Sequence, residues 1–177
     1  GASDGAAGSQ TAFSTGKGNG AAADNFVVGN ILNIAAQEKL IMSHAAGGSA
    51  AGSGNVPSRR EAANKWSNTS NAVSSIQLIS GYAGANDFAT GSECVVLGYD
   101  PADTSGTNAW EELASVTLGS ASDTLIDATI TAKKYLMIQE HKIPTGNCRS
   151  KYQFNGDTGT NYAIRASDDG GSDATSP

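Results

Sequence analysis

The residues able to donate protons, attack carbonyls, hold cations or stack on ligands are few in this chain. One hydrolase-like pattern is present, Gly1-Ala2-Ser3-Asp4-Gly5. A nucleophile elbow needs that pattern on a strand-to-helix turn, and here it lies in a leading stretch of small residues. It reads as coincidence. No glycine-rich loop ends in the Gly-Lys-Ser/Thr that cradles phosphates. The two histidines, His44 and His141, each follow a Met-containing strand-like run. Glu140 precedes His141, yet neighbours along a strand point to opposite faces, so the two are not expected to work as an acid–base pair.

Three other groups carry candidate chemistry. Asn155, Asp157 and Asn161 place oxygen-bearing side chains at alternating positions. Calcium loops do this because a hard cation takes about 6–8 oxygens. The acid that closes an EF-hand loop would fall at Ala166, so that motif fails. A tight Asn-Gly turn accounts for the same residues without Ca2+, and no other cofactor is implied. Trp66, Trp110 and Tyr99 could form a sugar-stacking platform, although aromatics are only 6% of the chain and its core needs them. Trp110, followed by Glu111-Glu112, is the best candidate for an exposed ligand contact. Cys94 and Cys148 both sit in strand-like segments, so one disulfide is open to them. Two buried thiols are the reading the count favours.

The elements that must position these groups follow from composition and pattern. A chain of 177 residues fits one domain, since domains run to about 100–200 residues. Glycine is abundant at 22 residues and charged residues are only 16%, against a usual charged fraction of about 25%. Small, weakly charged surfaces suit a packed lattice or stalk. The net charge is −6 with only 11 basic residues, whereas nucleic-acid binders carry basic stripes that displace phosphate counterions. The adjacent basic pairs Arg59-Arg60 and Lys133-Lys134 read as ordinary solvated charges. Nucleic acid is therefore not an expected partner. Nor is a membrane, because no apolar run approaches the roughly 20 residues that span a bilayer, and no signal segment opens the chain. A start at Gly1 rather than Met implies processing or a piece of a longer polypeptide.

Residues 1–24 are mostly Gly, Ala, Ser, Thr and Asn, which reads as an extended arm that only a neighbour's surface could order. From 25 to 177 the chain reads as one β domain. Short apolar runs at Phe26-Val27-Val28, Ile31–Ile34 and Lys39–Met42 are followed by a small-residue loop, Gly47–Pro57. Arg59–Trp66 fits either a short helix or a strand ending on Trp66. Alternating segments follow at 74–79, 93–99, 113–118, 124–130, 135–143, 148–154 and 162–165, separated by turn signals such as Asn155-Gly156-Asp157. Nine or ten short strands, without a sustained 3.6-residue period, predict an all-β, antiparallel two-sheet sandwich of jelly-roll type.

Two internal echoes add to this. Glu38–Met42 resembles Lys133–Met137, which marks equivalent strands in two halves of the sandwich. Ala2–Ala6 resembles Ala166–Gly171, as if one tandem repeat were cut in mid-register. Val95–Pro101, Trp110–Val116, Thr131–Gln139 and Phe154–Ala163 together resemble viral and phage structural proteins of the tandem β-sandwich type. The similarity covers about two-thirds of the chain and is a pattern of strands and turns. It implies a virion component (capsid subunit, decoration, fibre or tail module) and carries no active-site residues. The expectation is a non-enzymatic protein of the extracellular particle, partnered by other copies of itself and other virion proteins. A glycan-binding receptor module, or a repeat of an extracellular filament or surface layer, is the alternative.

Overall fold

A computed structural model describes residues 12–14, 24–48, 52–81, 88–104, 109–146, 148–168 and 174–176. Those residues hold twelve strands and no helix. In chain order they begin with β1 (Phe13–Ser14), β2 (Asn25–Leu32), β3 (Lys39–Gly47) and β4 (Ser58–Trp66). Then come β5 (Ser75–Ser80), β6 (Glu93–Tyr99), β7 (Glu111–Thr117) and β8 (Thr124–Thr129). The last four are β9 (Tyr135–Lys142), β10 (Ser150–Phe154), β11 (Tyr162–Asp168) and β12 (Ala174–Ser176).

Eight strands form one antiparallel sheet in the order β12-β11-β4-β3-β2-β9-β6-β7, and four form the other, β1-β10-β5-β8. The expected two-sheet sandwich is the architecture. The meander β2-β3-β4 with β9 returning beside β2 has the spatial order of a Greek key. Arg59–Trp66, ambiguous in sequence, is a strand: Arg60, Ala62, Asn64 and Trp66 are buried at every second position. The separate runs at 26–28 and 31–34 merge into the single strand β2, because Gly29 and Asn30 continue the ladder opposite Ser43 and Met42.

Alternation along these strands sends one side chain in two to a core shared by both sheets. Ile31, Ile41, Trp66, Val96, Leu136 and Ile138 enter from the large sheet; Ile76, Leu78, Tyr152 and Phe154 meet them from the small one. Removing each large apolar side chain from water stabilises the fold by about 1.5–3 kcal/mol.

Three expectations change. The Lys39–Met42 and Lys133–Met137 echo does not relate two halves of the sandwich. Met42 and Met137 both face Asn30, so the two segments are the two neighbours of β2 in one sheet. The basic pairs are not simply solvated: Arg60 is buried, and Lys133 contacts Asp103 and Glu111, each at 2.5 Å. Within the leading arm, Phe13–Ser14 pairs with Tyr152 and Lys151 of its own β10. Residues 1–11 and 15–23 of the arm, with the Gly1–Gly5 pattern, and most of the terminal echo lie outside the described residues.

Candidate functional site

The large sheet turns one face to the core and the other outward. Register places Lys65, Leu40, Leu32, Tyr135 and Tyr99 in one outward row across β4-β3-β2-β9-β6. The next row is Ala63, Met42, Asn30, Met137 and Leu97. This face is unusually apolar for one turned to solvent. Leu40 is 54% exposed, Met42 62%, Phe26 51% and Trp110 44%. Of the five large apolar side chains exposed among the described residues, only Val56 lies elsewhere. A shallow groove of about 310 Å³ is lined by Leu32, Leu40, Met42, Trp110 and Tyr135.

Trp110 stands just before β7 and is brought over the sheet by its neighbours. Its ring lies 5.9 Å from Tyr99 at 40°, and Tyr99 stacks on Tyr135 at 6.1 Å and 18°. Lys133 fixes the approach by gripping Glu111, the residue after Trp110, and Asp103 on the preceding connection. The two carboxylates hold the Lys133 ammonium well above its usual range through their hydrogen bonds, so it stays charged and tethered. Trp110 and Tyr99, singled out by type, thus meet. Tyr135 and Lys133 were missed, because Tyr135 reaches the cluster only through its register opposite Tyr99, and Lys133, on the connection before β9, through its ion pairs with Asp103 and Glu111. The outward alternation of Leu40 and Met42 was the available signal.

Trp66 is not a ligand contact. It is fully buried, 5.6 Å from Phe154 and stacked at 15° on Tyr162. Its indole N–H donates to Asp157 Oδ2 at 2.7 Å. The same carboxylate accepts from Gly159 N at 2.8 Å and from the Asn161 carboxamide at 2.9 and 3.1 Å. Burial pulls the Asp157 pKa upward, but these three donors prevail and hold it below the usual carboxylate range. Asn155, in the left-handed region at φ 51°, turns its Oδ1 to the backbone N–H of Ser74 and Ser75. The three candidate cation ligands therefore do not converge. The Asp157 and Asn155 oxygens are engaged by N–H donors and Asn161 turns its own N–H toward Asp157, where a cation would need uncommitted lone pairs, and the segment is a turn that locks Trp66 to β10 and β11.

The histidines stay apart from any acid–base pair within the strand. His141 turns outward, 3.1 Å from Asp24, while Glu140 points into the core. Glu140 is wholly buried and accepts from the Ser150 hydroxyl and, at 3.1 Å, from the Tyr152 hydroxyl, both on the small sheet. Burial raises its pKa; the nearby Lys142 charge and these hydrogen bonds only partly offset that. Lys142, also buried, donates to the Cys148 carbonyl at 2.8 Å. Cys94 and Cys148 are buried thiols and form no disulfide. Cys94 lies opposite Glu140 in the β6-β9 ladder, and burial followed by that negative charge pushes its thiol pKa far up. Such a thiol is a poor nucleophile.

Among the described residues no group of three or more His, Cys, Asp or Glu side chains could hold a metal ion, and no helix is long and apolar enough to cross a membrane. No family model, curated protein or solved structure matches the chain.

Proposed function

We propose that the chain is a non-enzymatic structural module of an extracellular particle, a virus or phage virion. It assembles by seating the outer face of its large sheet against other copies of itself. The observation that carries this reading is the exposed cluster of Leu40, Met42 and Trp110, which lines one groove on the solvent-facing sheet surface, with Phe26 farther along the same face. Contiguous exposed apolar surface is what soluble monomers avoid and what interfaces present. The sequence resemblance to viral and phage structural proteins supports the particle assignment.

The test is sedimentation velocity over a range of concentrations. The unaltered chain is expected to associate, and a Leu40→Asp/Met42→Asp variant to sediment as a monomer. Both side chains are more than half exposed, so the substitutions cost the fold little. A single monomeric species at every concentration for the unaltered chain would end the proposal.

A second reading has its own observation. The Tyr99–Trp110–Tyr135 cluster presents a partly exposed ring beside Lys133, Asp103 and Glu111, the mixture of apolar face and polar rim that sugars stack on. Under it, host-surface glycans bind on an array, and Trp110→Ala abolishes the signal while leaving the circular dichroism unchanged. A silent array, or binding that survives Trp110→Ala, removes this reading.

A further inference from the structure

We propose that the outer face of the large sheet is complementary to itself and closes a face-to-face dimer whose twofold axis runs along β2. The proposal rests on the reading of that face as the assembly surface and adds which strands meet, and why.

Strand β2 is central among the strands from β11 to β7: β3, β4 and β11 follow on one side of it, β9, β6 and β7 on the other. The two flanks carry opposite charges at equal distances from it. Arg165 on β11 lies level with Asn30 through Ala63 and Met42. On the other side Asn30 lies level with Glu112 on β7 through Met137 and Leu97. Arg165 and Glu112 thus end one row, both exposed and each three strands from β2. Ser115, on the same outer face, donates its hydroxyl to Glu112 at 2.6 Å. A second row repeats the pattern. Arg59 on β4 lies level with Phe26 through Ala46, and Glu93 on β6 through His141. Both are exposed, two strands from β2 on opposite sides. Arg59 also contacts Glu61 at 3.0 Å, and a guanidinium has several donors to share among carboxylates. Between the flanks the face is apolar at Phe26, Val28, Leu32 and Met42.

A half-turn about an axis along β2, in the plane between two such faces, carries β11 onto β7 and β4 onto β6. Arg165 of each copy then meets the partner's Glu112, and Arg59 the partner's Glu93. Lys65 falls over the partner's Tyr99, a cation–π arrangement. The other in-plane twofold, across the strands, lays each flank on its own kind and sets like charges together. Exposed ion pairs add little affinity, so the apolar middle supplies the attraction and the charges select the orientation. From β11 to β7 the face spans roughly 29 Å, and its four outward rows roughly 20 Å. With side-chain relief, that approaches the roughly 800 Å² per partner of a standard interface. Two twisted sheets pack aligned at about 30°, which accommodates their twist.

Charge exchange tests the pairing. Glu93→Lys/Glu112→Lys makes both flanks basic, and Arg59→Glu/Arg165→Glu makes both acidic; circular dichroism checks that each variant keeps the fold. In sedimentation equilibrium the unaltered chain should form a dimer and nothing larger. Each variant alone should dissociate about tenfold more readily or worse, because like charges then face each other. An equimolar mixture of the two should recover a dimer. Crosslinking locates the axis. Asn30→Cys lies on it, about 10 Å from its counterpart across facing sheets, so a short bismaleimide should join two copies. Ser115→Cys, on β7, stands about 29 Å from its counterpart and should stay unjoined. A chain that is monomeric at every concentration removes the assembly reading and this dimer with it. If the chain associates, several results overturn the twofold and leave the assembly reading standing. These are charge variants that associate as tightly as the parent, a mixture that stays dissociated, growth beyond a dimer, or failure to crosslink through position 30.

Discussion

Trp66→Ala should destabilise the protein by about 3–5 kcal/mol, the usual cost of emptying a buried aromatic site. For a domain of this size each kcal/mol lowers the melting temperature by about 2–4 °C, so a drop on the order of 10 °C is expected by differential scanning calorimetry. The loss is large because Trp66 serves two structures. Its ring lies between Phe154 and Tyr162, and its N–H satisfies Asp157. Trp66→Phe separates the two roles, keeping most of the packing and deleting one hydrogen bond to a charged acceptor, at a cost of about 1.5–3 kcal/mol. That variant carries a pH signature. The folded Asp157 pKa is held below its unfolded value, so its contribution is present above the unfolded carboxylate range and is lost as pH falls through the folded pKa. Urea midpoints of the unaltered chain and Trp66→Phe should therefore differ most near neutral pH and draw together below about pH 4. A gap that does not depend on pH would show that the indole does not act through Asp157.

Glu140→Leu should cost about 3–5 kcal/mol, because the buried Ser150 and Tyr152 hydroxyls lose the acceptor that links the two sheets, each unsatisfied group costing about 1–3 kcal/mol. Glu140→Gln keeps the shape and both hydroxyl contacts, so its smaller cost isolates the charge. The double variant Glu140→Gln/Lys142→Met should be more stable than Glu140→Gln alone, since a methionine fills the lysine channel without a charge. The unaltered protein has the opposite pH sense from the Asp157 effect. Because the folded Glu140 pKa is raised, its contribution is complete below the unfolded glutamate range and is lost as pH rises through the folded pKa. Chemical denaturation across pH reads both signs. A Glu140→Leu variant as stable as the parent would mean that the inter-sheet contact contributes nothing.

These two sites differ in how visible they were beforehand. The turn at Asn155–Asn161 announced itself through Asn-Gly and alternating polar residues, which are local signals of left-handed backbone and side-chain-to-backbone hydrogen bonding. That its carboxylate would cap a tryptophan 91 residues earlier was not local information. Glu140 was legible only negatively: strand alternation placed it on the face opposite His141, yet its burial required knowing that β10 would lie across it. Trp66 shows the same limit. Its type fits a ligand platform and a core equally well, and only the packing of Phe154 and Tyr162 against it settles which.

By itself the amino-acid sequence determined the all-β class, the inward and outward sets of most strands and the main turns, because two-residue alternation and turn chemistry are written within a few neighbouring positions. Even Arg59–Trp66 became a strand by that alternation once it had partners on both sides. Which strands lie side by side was decided by tertiary structure alone. That choice turned the Met42 and Met137 segments into flanks of one strand, gathered Tyr99, Trp110 and Tyr135 on the solvent face, and set Asn25 opposite Lys142 in the core. Pairing between strands is paid for by burial and hydrogen bonding over long sequence separations, and no local pattern records it.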